Sequence, residues 1–311
     1  MGYAAPTAEA MIATHIDGPW THRDVAANGA RFHVAEAGTG PLVLLLHGFP
    51  EFWWAWRHQL PAVAAAGYRC VAMDLRGYGE SDKTPRGYDP MTLAADVAGV
   101  IRTLGTRSGV VVGQGWGGYI GWTVAAARPD CIDALCAVAA PHPSELLRTP
   151  LRLAARAPIG HLAVMQVPWF PERQIRRGAY IARHLRRWSS PSSDFPTVAE
   201  VEAYTAAMAA WPAPHCAIEY HRWLVRSRVR ADGRAFARLM RPAVTLPVLQ
   251  VIGADDPAIS LTAVQRSARH VDGHHSVVTI DGAGHFPHEE RPATFTETLL
   301  RWLATRELGS A

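Results

Sequence analysis

The sequence predicts an α/β protein, a mostly parallel sheet flanked by helices with one helical block inserted. Three observations carry that reading. Short apolar runs alternate with helix-patterned stretches in both the N-terminal and C-terminal parts of the chain. Residues 144–246 are rich in Arg, Ala, Trp and Pro, keep helical spacing and contain no clear strand. Ahead of that block lies GVVVGQGWGGYIG, Gly109 to Gly121, which reads as a buried strand, a tight turn and a helix.

Taken in order, residues 1–18 lack periodicity and are expected to form a flexible tail. His22 to Asn28 and Ala30 to Glu36 read as two strands joined at Asn28-Gly29, an Asn-Gly hairpin signal. Pro41 to His47, PLVLLLH, is a continuous apolar run, as expected of a strand covered on both faces. Tyr68 to Leu75 is the next strand, Met91 to Leu104 has helical periodicity, and Ile132 to Ala140 follows the Gly109 segment as another strand. After the inserted block, strands return at Pro247 to Gly253 and Ser276 to Ile280, and the last helix runs from Pro292 to Arg306. The expected organisation is a core of residues 19–143 and 247–311 with a helical cap, or lid, over 144–246.

Composition narrows the function classes. The chain has 311 residues, 49% hydrophobic and 19% charged, enough to bury a full core. Its net charge of +4 comes from scattered arginines rather than a basic patch interleaved with aromatics, so no nucleic-acid partner is expected. The densest basic run, Arg173, Arg176, Arg177, Arg183, Arg186 and Arg187, is expected to be a solvated helix face. Cys70, Cys131, Cys136 and Cys216 lack metal-ligand spacing, and the N-terminus has no signal-peptide pattern; the expectation is a reduced, cytoplasmic protein without metal or cofactor. No apolar run approaches the ~20 residues needed to cross a bilayer.

The Gly109 segment has the frame of a nucleophile elbow. In such a turn the central residue takes a positive φ that pushes its side chain into a cleft, and neighbouring glycines let strand and helix approach closely. Here the central residue is Gly115, so nothing projects. His47-Gly48-Phe49-Pro50 ends a buried strand, and the N–H groups of Phe49 and Trp116 are expected to converge as an oxyanion hole. Asp255-Asp256 follows one late strand and His285 follows the next, giving the order nucleophile position, acid, base. A carboxylate paired with a histidine orients the imidazole for general-base work.

These residues carry a resemblance. His47 to Trp54 (HGFPEFWW), Asp74 to Asp82 (DLRGYGESD), the Gly113 to Gly118 turn and Gly284 to Glu290 (GHFPHEE) together resemble the α/β-hydrolase fold of the epoxide-hydrolase branch, over residues 20 to 305. Haloalkane dehalogenases share much of this pattern. The resemblance implies that the elbow position holds an Asp which attacks an epoxide carbon, and that a His-activated water then hydrolyses the ester. The matching base is His285 and the acid Asp256, with Asp255 the second choice. The attacking Asp is replaced by Gly115, and the residue before it, often His in the family, is Gln114. Two adjacent departures point to natural divergence rather than one introduced change.

The resemblance also implies two cap tyrosines that donate to the epoxide oxygen. The first position falls at His161, and the second at Tyr220 or His221. Trp53 and Trp54 are candidate pocket residues beside Phe49 and Trp116. Two classes of function follow. In the first, Asp256 and His285 activate a water beside Gly115 that attacks a small apolar substrate, or His285 abstracts a proton without any nucleophile. In the second, the hydrolase scaffold binds a small ligand or acts as a scaffold without catalysis, a possible pseudoenzyme.

Overall fold

The computed structural model describes residues 14–146 and 160–305. β1 (Thr21–Ala27) and β2 (Ala30–Ala37) form an antiparallel hairpin. Its turn places Asn28 at φ 46° and Gly29 at φ 73°, the pair of positive values that a two-residue hairpin turn requires. β3 (Leu42–Leu46), β4 (Arg69–Met73), β5 (Gly109–Gln114), β6 (Ile132–Val138), β7 (Val248–Gly253) and β8 (His275–Ile280) complete one sheet. The strand order is β1-β2-β4-β3-β5-β6-β7-β8; β2 meets β4 antiparallel, and every pair from β4 to β8 is parallel.

Crossover helices explain why β3, β5 and β7 are buried at every residue. α1 (Gln59–Ala65), α2 (Pro90–Thr103) and α3 (Trp116–Ala127) follow β3, β4 and β5. Asp89 starts α2 by accepting from the Thr92 N–H, with Pro90 in the first turn where a missing N–H costs nothing. Fully burying each aliphatic side chain of the LVLLL strand contributes about 1.5–3 kcal/mol.

Between β6 and β7 the chain is helical: α4 (Gly160–Val164), α5 (Phe170–Arg176), α6 (Ala179–Trp188), α7 (Val198–Ala209), α8 (Ala213–Arg226) and α9 (Ala231–Leu239). α6 buries Ile181, His184, Leu185 and Trp188 and exposes Arg183, Arg186 and Arg187. Arg173, Arg176 and Arg177 are exposed too, so the basic run is a solvated face. A capping box of Thr197 and Glu200 opens α7. After β7 come α10 (Leu261–Arg266) and, following β8, α11 (Pro292–Ala304).

The N-terminus differs from the expected tail. Residues 1–13 lie outside the described residues, but Thr14 is buried and its carbonyl accepts from Trp53 Nε1 at 2.9 Å. Trp20 Nε1 donates to the Ile16 carbonyl at 2.9 Å, so indole N–H groups fasten the chain from residue 14 onward. Arg306, expected to end the last helix, also falls outside the described residues. Among the described residues no helix is long and apolar enough to cross a membrane.

Candidate active site

Because β3, β5, β7 and β8 run parallel, the loops after them emerge on one edge of the sheet, where α/β proteins gather their chemistry. Those loops carry His47 to Pro50, Gly115, Asp256 and His285.

Gly115 joins β5 to α3 with φ 51° and ψ −110°, a conformation that L side chains rarely adopt. The turn is tight enough that a Cβ on Gly117 would stand 2.1 Å from the Leu46 carbonyl oxygen. A Cβ on Gly115 would instead stand in ordinary van der Waals contact, 3.5 Å from His285 Nε2 and 3.8 Å from Gly48 Cα. The elbow therefore aims its missing side chain at the imidazole.

His285 is held from three directions. Its Nδ1 pairs with Asp256 Oδ2 at 2.9 Å, its backbone N–H donates to the Trp188 carbonyl at 2.8 Å, and its own carbonyl accepts from Gln114 Nε2 at 2.9 Å. The second oxygen of Asp256 accepts from the N–H groups of Ala258 and Ile259 at 2.8 and 2.9 Å. With both oxygens accepting, Asp256 orders the ring so that Nδ1 carries the hydrogen and Nε2 keeps its lone pair towards Gly115. Asp255 turns the other way and accepts from Ser190 Oγ at 2.6 Å, so of the two expected acids only Asp256 reaches the base.

The loop after β3 is locked by its own motif. Leu75 N–H donates to His47 Nε2 at 3.1 Å, which makes His47 Nδ1 the donor to the Gly48 carbonyl at 2.8 Å. Burial pushes the His47 pKa down and keeps it neutral in that role. Glu51 accepts from the Gly48 N–H at 3.0 Å. Among the described residues the N–H groups of Phe49 and Trp116 have no acceptor, and Trp116 stands at the first position of α3, where helical N–H groups lack an internal partner.

Above these residues lies a cavity of about 500 Å³, walled by Phe49, Gly115, Trp116, His161, His221 and His285 among others. Of the two candidates for the second cap position, His221 lines the cavity. Tyr220 is buried behind it, with its hydroxyl donating to the Arg76 carbonyl at 2.7 Å, and does not line the cavity. His221 lines the cavity but is occupied: Trp116 Nε1 donates to its Nε2 at 3.1 Å and its Nδ1 bonds the Ala217 carbonyl at 3.0 Å. Burial holds its pKa at about 3, so it is a neutral ring with both nitrogens in use, not the expected donor.

Trp53 and Trp54 also depart from expectation. The short helical turn Trp53–Trp56 carries Trp53 beneath the N-terminal hairpin, fully buried against Trp20 and His22. Trp54 lies under the Arg57 guanidinium, 4.0 Å from its ring centre. Neither reaches the cavity. Among the wall residues that sequence reasoning missed are His184 and Trp188. Their signal was the spacing Tyr180, His184, Trp188, one residue per helical turn along one face of α6. Burial drives the His184 pKa well down, and among the described residues its Nε2 has no hydrogen-bond partner.

An eight-stranded sheet with an elbow, an Asp–His pair and two free N–H groups at one edge defines an α/β-hydrolase. A family model described as the alpha/beta hydrolase fold matches residues 41–292. "Epoxide hydrolase A" of Mycobacterium tuberculosis is 30% identical over 93% of this chain and 98% of its own length. "AB hydrolase superfamily protein YfhM" of Bacillus subtilis is 32% identical over 90% of this chain and 96% of its own. Among solved structures, epoxide hydrolase A from Mycobacterium thermoresistibile superposes with a TM-score of 0.81 at 26% identity, covering 93% of this chain and all (100%) of the other. The chain belongs to the α/β-hydrolase family, in its epoxide-hydrolase-like branch.

Proposed function

We propose that this protein is a hydrolase for a small apolar substrate, an epoxide in the first instance, that works by direct attack of water and forms no ester with the enzyme. His285 Nε2 takes a proton from a water held beside Gly115. The water oxygen bonds to the epoxide carbon as the carbon–oxygen bond of the ring opens. The imidazolium then returns its proton to the alkoxide, leaving a diol. Asp256 keeps the ring oriented and stabilises its charged form. The N–H groups of Phe49 and Trp116 offer the hydrogen bonds for charge that develops on oxygen.

The observation that carries this reading is the Asp256–His285 pair at 2.9 Å with Nε2 directed at the unfilled elbow position. The epoxide-hydrolase relatives support the substrate class. The absent carboxylate supports a second reading, a hydrolase-fold protein that binds an apolar ligand or serves as a scaffold, because the engaged His221 also removes a donor for an epoxide oxygen. Residues 144–246 act as the cap in either reading, and the absence of disulfides among the described residues fits a cytoplasmic setting.

The test is hydrolysis of a panel of lipophilic epoxides and esters by the protein, by His285→Ala and by Gly115→Asp. Activity in the parent that His285→Ala abolishes supports direct water attack. Activity in Gly115→Asp alone supports a binding protein with a complete frame and no nucleophile. Silence from all three rejects the hydrolase reading.

A further inference from the structure

Far from the cavity, three histidines meet at the N-terminal edge of the sheet. His15 precedes β1, His22 lies on β1 and His33 on β2. In the antiparallel register His22 faces Ala35 and His33 faces Asp24, so the two histidines are diagonal neighbours on one face of the hairpin. One ring nitrogen from each of the three lies within 4.8 Å of the other two. The ring centres of His15 and His22 lie 3.9 Å apart, with the planes tilted by 35°.

The hydrogen bonds around the rings decide where their lone pairs point. His33 Nδ1 faces Asp74 Oδ2 at 2.9 Å, and a carboxylate already accepting from the N–H groups of Trp53 and Glu80 requires a donor there. His22 Nε2 faces the Ile16 carbonyl at 3.0 Å, which can only accept. Both outer nitrogens are therefore N–H donors. In neutral rings that leaves His22 Nδ1 and His33 Nε2 as lone pairs, and these two atoms face each other at 2.9 Å. Two lone pairs nose to nose repel unless a proton or a metal ion bridges them.

The geometry points to a divalent metal site of the Zn2+ type, with His22 Nδ1, His33 Nε2 and a ring nitrogen of His15 as ligands. Tetrahedral zinc with Zn–N bonds of 2.0–2.1 Å needs ligand nitrogens about 3.3 Å apart, so the His22–His33 pair opens by only a few tenths of an ångström. The outer partners match what metal-bound histidines use: a carboxylate for His33 and a backbone carbonyl for His22. His15 is half exposed, at 49% of its side-chain area, and Glu80 Oε1 lies 3.4 Å from its Nδ1, adding negative charge at the rim. Three nitrogen donors suit Zn2+, Co2+ or Ni2+ and leave a fourth position on the solvent side. Such a site would clamp the segment before β1 onto the hairpin.

The test is calorimetric titration of ZnSO4 into chelator-treated, dialysed protein, repeated with His22→Ala, His15→Ala and His285→Ala, with thermal unfolding followed in parallel. The expected result is one Zn2+ per chain and a Tm raised by the metal. Affinity should fall about tenfold or more in His22→Ala and in His15→Ala, and stay unchanged in His285→Ala. His15→Ala keeps the proposal falsifiable if His22→Ala folds poorly, because His15 lies outside the core. Absence of binding, or binding that His22→Ala and His15→Ala leave intact, overturns the site; in the first case a proton shared between His22 and His33 takes the metal's place.

Discussion

Gln114 Nε2 donates to the carbonyl oxygen of His285 at 2.9 Å, tying the residue before the elbow to the loop that carries the base. The side chain is fully buried, so the link is made without solvent. Gln114→Ala leaves that carbonyl buried without its partner. The expected cost is about 1–3 kcal/mol of stability, read from the urea midpoint. A loss of activity larger than the loss of folded protein would show that the tie also positions His285.

Gly115→Ala places a Cβ without a clash but at φ 51°. Strain rather than collision then sets the outcome. Unfolding free energy should drop by about 1–3 kcal/mol with no change in overall structure by circular dichroism. An unchanged midpoint would mean that the turn relaxes.

Asp256→Asn keeps an oxygen for the Ala258 and Ile259 N–H groups while removing the charge from His285. We expect kcat for any substrate found active to fall by roughly 10³–10⁴-fold with KM little altered. Asp255→Asn should leave kcat within a factor of two or so, since Asp255 bonds Ser190 rather than the base. Equal effects would contradict the pairing.

Tyr220→Phe separates the two second-position candidates. Among the described residues its hydroxyl bonds the Arg76 carbonyl, so the variant should lose about 0.5–1.5 kcal/mol of stability and keep its turnover. Turnover lost with stability intact would return Tyr220 to the cavity.

Stability should fall as the solution is acidified below neutral. Burial holds His221 and His142 at about 3, against 6.5 for a free histidine. Between pH 6.5 and 3 the unfolded chain therefore binds protons at these sites that the folded one does not, which favours unfolding. Each contributes a slope of about 1.4 kcal/mol per pH unit in that window. Denaturant midpoints from pH 6.5 to 4.5 should show the slope, and His221→Gln should remove one share of it.

The sheet was legible because buried strands in a parallel core read as unbroken apolar runs, as in PLVLLLH, and because Asn28-Gly29 can do little but turn. The Asp256–His285 pair was legible from its order after two strands. The cap was not. His161 and His221 could be found by position, but only packing shows that Trp116 occupies His221, that Tyr220 reaches back to Arg76, and that His184 enters the wall. Trp53 and Trp54 were misplaced because aromatic composition reports burial without saying which cavity or core receives it. The three clustered histidines lie apart in sequence, and only the hairpin register brings two of them together.

The hydrogen bond from Trp116 to His221 joins the first residue of α3 to α8. Any displacement of α8 costs that bond, and the indole it frees walls the cavity beside Gly115. In the proposed hydrolase, a ligand that pushes α8 outward would break this bond, which would set an upper size on what the cavity admits before it sets any chemical preference.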